Sequence, residues 1–363
     1  VRGNKLNSSG INKHKDYKTL CYIKLMPQKD GNVHLLDFIQ DEFITVNTTK
    51  KFKKLILKFI KRKYKTVYQF NKVLGKSGNL YDFLFNEKSM SINLLHSILK
   101  DLKISLRKFE QSIIFIGTKT GYGIRNPKLP FNFNNREGFR FIAAILGDGA
   151  LSKKFVPSYV NSYRFLVEGV KRAAFHIFGD VDGIQQFIHD GFHIVNFPVI
   201  MGRIIFKLGI PRGTKTITNP HIPSFILNGS RVKKIEFLKQ VSDDEGSPQI
   251  NAPYSYSVRF QFSVYQKIKL PPLMSNLTYD LHQLVHTLNY NTTEIYKACE
   301  YNLEKMATRR VYKGYGWAFN IQGKKSLTKF YEEIGFSIPS RHDKLLKGIT
   351  YLKRNQLGKK RMY

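Results

Sequence analysis

Cysteine is almost absent: Cys21 and Cys299 are the only two in 363 residues. They lie far apart and in no pairing or metal-ligand spacing. Neither a disulfide scaffold nor a cysteine-based zinc site therefore organises the chain, and a reducing, cytoplasmic, nucleoid-associated setting is expected. Acidic residues are also scarce, 26 Asp and Glu against 60 Lys and Arg, for a formal net charge of +34. So lopsided a chain points to a polyanionic partner, nucleic acid before an anionic membrane surface. No apolar run approaches the roughly eighteen residues of a membrane span, and no charged-then-apolar leader opens the chain, so neither a span nor a signal peptide is expected. What is present is ample core material, 42% hydrophobic and 13% aromatic residues. That excludes a disordered chain, and the length allows two or three domains.

Three zones follow one another. Residues 1–50 form an extension without an assigned role; Val1 to Tyr17 is polar and basic, and Val33 to Val46 fits a helix or two short strands equally well. Residues 51–116 read as five short helices. Phe52, Leu55, Ile56, Phe59 and Ile60 recur at helical spacing with lysines opposite. Thr66 caps Val67–Leu74 and Gly75 stops it, while Ser77, Ser91 and Ser105 open the next three helices. This run resembles the Cro/repressor type of helix-turn-helix domain, the likeness lying between Tyr68 and Tyr81. The resemblance implies that Lys76, Ser77, Asn79 and Tyr81 open a DNA-recognition helix. The plainer reading is a small helical bundle that only packs on its neighbour. Gly117 to Asn135, with Gly121, Gly123, Pro127 and Pro130, is expected to break helix and strand and to be a linker, residues 117–135.

The third zone holds the chemistry. Phe139 to Leu151 is an apolar helix ending in Gly147-Asp148-Gly149, and Ile235 to Ser247 is a second helix ending in Asp243-Asp244-Glu245-Gly246. The two form a weak internal repeat. Strands are expected after each: Ser162 to Val167, then Ala173–Phe178, after the first; Ser255 to Ser263 and Arg309–Ile321 after the second. Helices are expected at Val181–His189, Val199–Leu208, Thr278–Leu288 and Ser326–Ile334. The ten histidines show no ligand spacing and read as scattered structural or surface residues.

This constellation resembles the LAGLIDADG homing endonucleases in their single-chain, two-motif form. Lys207 to Gly213 leading to Pro220–Ile226, and Ile321 to Phe336, add to the likeness. The resemblance implies an α+β fold: two pseudo-symmetric αββαββα-type repeats with saddle-shaped antiparallel sheets, at 136–232 and 233–363, preceded by the small all-α helix-turn-helix domain. It implies a monomer that hydrolyses both strands of duplex DNA with Mg²⁺ (or Mn²⁺). Asp148 and Glu245 would be catalytic metal ligands, joined at the metal by Gly147 and Asp244, with Lys324 the basic catalytic residue. Arg164, Ser257, Arg259, Gln261 and Lys313 would face bases or phosphates.

Physical chemistry supports the pairing. An acid at a helix C-terminus is on the unfavourable side of the dipole, two such acids repel, and a bound divalent cation removes both objections. Ala143 and Ala144 are small enough to let two motif helices approach. Against it, Asp148-Gly149 is also a common helix stop, Asp243 and Asp244 could be ordinary capping or surface acids, and Gln240 and Ser242 put a polar seam where the family has small or apolar residues. A non-catalytic DNA-binding regulator and an intron RNA maturase are the alternative functions. The chain ends, Val1 and Met362-Tyr363, lack the residues that intein splicing needs.

Overall fold

The structure, a computed structural model, describes residues 30–39, 41, 43–75, 79–119, 121–251, 255–267, 271–305 and 310–360. The chain starts with β1 (Asn32–Val33), a 3-10 turn (Leu35–Phe38) and β2 (Ile44–Thr48). Five helices follow: α1 (Lys50–Tyr64), α2 (Val67–Leu74), α3 (Asn79–Phe85), then, after β3 (Met90–Ser91), α4 (Ile92–Asp101) and α5 (Leu106–Glu110). Their caps explain their bounds. Thr49 accepts from the Phe52 amide and Thr66 from the Gln69 amide. Gly75 closes α2 at φ 62°, where a side chain would be strained. Phe52, Ile56 and Ile60 of α1 and Leu94, Leu95, Ile98 and Leu99 of α4 are buried, the stripes expected of amphipathic helices. Ser91 and Ser105 stand at the N-cap positions without a side-chain cap bond. Lys76 and Ser77 lie outside the described residues.

Residues 117–135, read as a linker, include the end of β4 (Ile113–Thr118), β5 (Gly123–Arg125) and β6 (Phe131–Asn132), with turns and loop between them. β4 and β5 join β2, β3 and the later β9 (Asp180–Val181) in a five-stranded sheet ordered β3-β2-β4-β5-β9. The glycines here serve close packing rather than breakage. A Cβ on Gly117 would sit 2.6 Å from the Phe115 ring, and one on Gly123 would sit 2.3 Å from the Ile116 carbonyl. Gly121, at φ 87°, makes the turn.

β1 pairs with β6 in a two-stranded sheet, and two further antiparallel sheets of four strands follow among the described residues. The first stretch runs α6 (Arg136–Leu146), β7 (Gly149–Leu151), β8 (Pro157–Asn161), α7 (Arg164–Phe178), β10 (Gln185–His189), β11 (Phe192–Asn196) and α8 (Val199–Lys207), then short α9 (Lys215–Thr218) and α10 (Ser224–Leu227). The second runs α11 (Arg231–Glu245), β12 (Gly246–Asn251), β13 (Ser255–Lys267), α12 (Asn276–Thr287), β14 (Tyr296–Lys305), β15 (Arg310–Gln322), α13 (Lys324–Glu333) and α14 (Pro339–Lys360). The sheets are ordered β10-β11-β8-β7 and β12-β13-β15-β14. In each, the strands lie first, second, fourth, third. Among the described residues no helix is long and apolar enough to cross a membrane.

Local readings of the first stretch need correction. The strands expected at 162–167 and 173–178 give way to one helix, α7, over Arg164–Phe178. Leu166, Val167, Val170, Ala173, Ala174 and Ile177 are its buried stripe. A six-residue window fits the period of either element; the longer run decides for helix. Residues 181–189, expected as helix, hold β9 and β10, because Gly179 (φ 103°) and Gly183 (φ 78°) break the chain there. In the second stretch, β13, β15, α12 and α13 fall where expected, as does α8 in the first.

Candidate active site

Helices α6 and α11 pack against one another. Asn135 caps α6 by accepting from the Gly138 amide, and every residue from Phe141 to Leu146 is buried. Such an all-apolar end belongs to a helix enclosed on several sides. α11 is more polar, and Glu236 is answered across the contact by charge. Buried Glu236 pairs with Arg136 (3.0 Å) and Arg140 of α6 and with Lys239 (3.0 Å). Burial opposes its charge, but hydrogen bonds from Lys239 and Arg136 prevail and hold its carboxyl below the ordinary range. At the far end, a Cβ on Gly147 would lie 2.4 Å from Asp244 Oδ2 and 2.8 Å from Asp244 Cβ. Only glycine permits that approach.

Three carboxylates gather at these two helix ends. Asp148 follows α6 and keeps an exposed surface toward a hollow of about 440 Å³ that Asn161, Asp244 and Arg341 also line. The surrounding protein still raises its carboxyl above the usual value, against the pull of Lys215, Arg341 and Asn161. Glu245, half-buried, is pushed up to about 7, by burial first and by the Asp148 charge in the same direction; Lys215 and Arg341 oppose. Asp244 is buried and raised well above the usual value, by desolvation and then by Asp148. A hydrogen-bond chain ties Asp244 to Asp148. Gln240 Nε2 donates to Asp244 Oδ1 (3.0 Å) and to Tyr159 Oη (3.1 Å). The Tyr159 hydroxyl donates to Asp244 Oδ1 (2.6 Å), and Asn161 Nδ2 donates to Tyr159 Oη (3.3 Å) and to Asp148 Oδ2 (2.9 Å). Asp244 Oδ2 and Ser242 Oγ are buried without a hydrogen-bond partner. Asp243 and Asp244 are thus not surface acids. Asp243 accepts from the Ser337 amide at 2.7 Å and anchors the start of α14.

Two cations face the cluster, and neither is Lys324. Lys215 Nζ donates to the Leu146 carbonyl (2.9 Å) and to the Gly147 carbonyl, the last of α6. Burial lowers its pKa, while Glu245, Asp148 and Asp244 raise it. Arg341 donates to the Ser242 and Asp243 carbonyls at the end of α11. Both serve as basic groups at a helix C-terminus, where the dipole favours them. A sequence signal for both existed. Lys215 stands six residues after Gly209, and Arg341 six after Gly335, each glycine following a Leu or Ile. Lys324 instead opens α13 and lines a separate hollow with Ser257 and Gln322 that contains none of the three acids.

The sheet residues divide in the same way. The register pairs Ser257 with Gln322, Arg259 with Asn320 and Gln261 with Ala318, so these three β13 residues share one face. Val258, Phe260 and Phe262 point to the core. Arg259 lies 5.6 Å from the centre of the Tyr296 ring. Lys313, opposite Gln266, belongs by parity to the other face, where it pairs with Glu300 at 2.8 Å. Arg164 is exposed, but as the first residue of α7 rather than on a strand. Tyr81 is exposed on α3.

Asp148, Glu245 and the Gly147 carbonyl are hard oxygen donors of the kind that hold Mg²⁺ or Mn²⁺. The raised carboxyls mark a place where negative charge is costly without a cation. Among the described residues no three His, Cys, Asp or Glu side chains group as a ready cage. An ion here would complete its shell with water and phosphate oxygens, as Mg²⁺ commonly does.

No protein-family model matches the chain, and no curated protein does. Among solved structures the chain is similar to I-DmoI in complex with DNA and Mn, at 13% identity and TM-score 0.33, over 56% of this chain and 97% of that one. It is similar to mesophilic variants of the homing endonuclease I-DmoI at 14% identity and TM-score 0.32, over 56% and 97%. A third likeness is to the N-terminal LAGLIDADG domain of DUF199/WhiA, at 13% identity and TM-score 0.30, over 58% and 89%. At these scores the likeness carries no argument about activity, which must come from the side chains themselves.

Proposed function

We propose that the chain is a metal-dependent, site-specific endonuclease of duplex DNA, with α6 and α11 as the motif helices of two pseudo-symmetric repeats. What supports this reading is that Asp148 and Glu245 stand one at each of two packed helix ends, act on each other electrostatically and share the charges of Lys215 and Arg341. Asp148, Glu245 and the Gly147 carbonyl would hold Mg²⁺ or Mn²⁺, which when bound supplies a water of lowered pKa and neutralises phosphate charge. Asn161 orients Asp148 and Tyr159 orients Asp244 by the hydrogen bonds already described. Lys215 and Arg341 are placed to meet phosphate oxygens. Ser257, Arg259 and Gln261 would read the duplex from the open sheet face, and α2 and α3, with Lys76, Ser77, Asn79 and Tyr81, would add a second contact.

One observation favours a second reading, a DNA-binding regulator that does not cut. The Lys215 ammonium lies at the C-terminal carbonyls of α6, beside the acids, and supplies positive charge there without a metal. Cleavage of a randomised plasmid library in Mg²⁺ separates the two. Asp148→Asn and Glu245→Gln are each expected to lower cleavage on the order of a hundredfold or more while DNA affinity stays within a few-fold. Wild-type protein that binds without cutting supports the regulator. Either variant cutting at the wild-type rate places the active site elsewhere.

A further inference from the structure

Helix α12 carries a polar cluster remote in sequence from the acids and unused by the nuclease reading. His282 and His286 are four residues apart, so both imidazoles project from one face of the helix. Their Nε2 atoms are 3.3 Å apart. Thr292 Oγ1 lies 3.1 Å from His282 Nε2 and 2.9 Å from His286 Nε2. The Thr293 carbonyl oxygen is 3.0 Å from His282 Nε2.

Hydrogen bonding leaves this arrangement poorly served. His282 Nε2 faces three polar atoms and can carry one proton. If that proton goes to the Thr293 carbonyl, His282 Nδ1 is left as a lone pair, and that atom is buried without a partner. If the proton sits on Nδ1 instead, the Nε2 lone pair faces a carbonyl oxygen. A cation among the four atoms relieves that repulsion. Two nitrogen ligands of a tetrahedral ion with bonds of about 2.0–2.1 Å stand about 3.3–3.4 Å apart, the spacing seen here.

We propose that His282 and His286, with the Thr293 carbonyl and the Thr292 hydroxyl, form a binding site for a borderline divalent cation of the zinc class. Imidazole nitrogen selects such ions over Mg²⁺. The frame is rigid before any ion arrives. His282 is buried with its ring edge-on to Phe319, 5.0 Å between centroids. The Thr293 amide donates to the Asn320 carbonyl (2.9 Å), and the Asn320 amide donates to Thr293 Oγ1 (3.0 Å), which fastens the loop to β15. His286 is exposed, which leaves a way in from solvent. Glu294 is close enough to act on His282 and to offset the ion's charge. The site does not depend on the nuclease reading and would hold α12 to the C-terminal end of β15.

The test is calorimetric titration of the full chain with Zn²⁺, made in the Asp148→Asn background to remove the acid cluster's contribution. One equivalent is expected to bind, and His286→Ala to weaken that binding at least tenfold. His286 is exposed, so this variant should fold; circular dichroism checks it. Long-range ¹H–¹⁵N spectra give a second readout: Zn²⁺ should place the His282 proton on Nδ1. Absence of binding, a His286→Ala titration like that of the parent, or a proton that stays on Nε2 at saturating Zn²⁺ would overturn the site and leave a plain hydrogen-bonded pair.

Discussion

Glu245 shows how much one residue's surroundings decide. Its folded pKa is raised to about 7 from an ordinary carboxyl value, chiefly by burial. Between those two values the folded chain binds more protons than the unfolded one, so this group's stabilising contribution is complete at low pH and is lost as pH rises through about 7. Without divalent ions, Glu245→Gln should therefore be more stable than wild type at pH 8, by about 1–2 kcal/mol, with the gap closing toward pH 4. Urea unfolding of both proteins across that range checks it; a variant less stable at pH 8 contradicts the assignment. Asp148 and Glu245 were legible in the sequence because Gly follows each at a helix end. The partners that set their chemistry were not. Lys215 lies 69 residues from its carbonyl partner Leu146, and Arg341 98 from Asp243. Such contacts are set by the packing of distant segments, and only the shared offset from Gly209 and Gly335 hints at them.

At the scale of the element, the close approach of α6 and α11 rests on Gly147. Gly147→Ala would place a methyl 2.8 Å from Asp244 Cβ, which a rotamer change of the carboxylate does not cure. The helix ends should part, at about 1–3 kcal/mol of stability. Gly169→Ala is the control: it lies mid-helix in α7 with its nearest neighbour, Arg172 Nη2, 3.9 Å away. That change should be neutral or stabilising by up to about 1 kcal/mol. Equal melting temperatures for the two variants would mean that the helix contact is looser than described. Helices α1, α2 and α4 were readable because their apolar stripes run the length of each element, and Thr66 and Gly75 bound α2. α7 and β10 were not, since short windows fit either period and the deciding glycines at 179 and 183 act through backbone angle rather than composition. The short strands within residues 117–135 were hidden for a related reason: glycine density marks close packing as readily as a break.

The whole molecule brings an excess of positive charge, two antiparallel sheets with the same strand order, and one acid cluster at a helix–helix contact. Its central claim is that this cluster is built for a divalent cation, with Lys215 supplying positive charge beside the acids. The most direct measurement is a crystal structure of the full chain soaked in Mn²⁺, located by its anomalous signal. The account predicts Mn²⁺ between Asp148 and Glu245, with the Lys215 ammonium withdrawn from the Gly147 carbonyl. No Mn²⁺ at these carboxylates, with Lys215 still on Gly147, would contradict it and leave the non-cutting DNA-binding regulator as the better account.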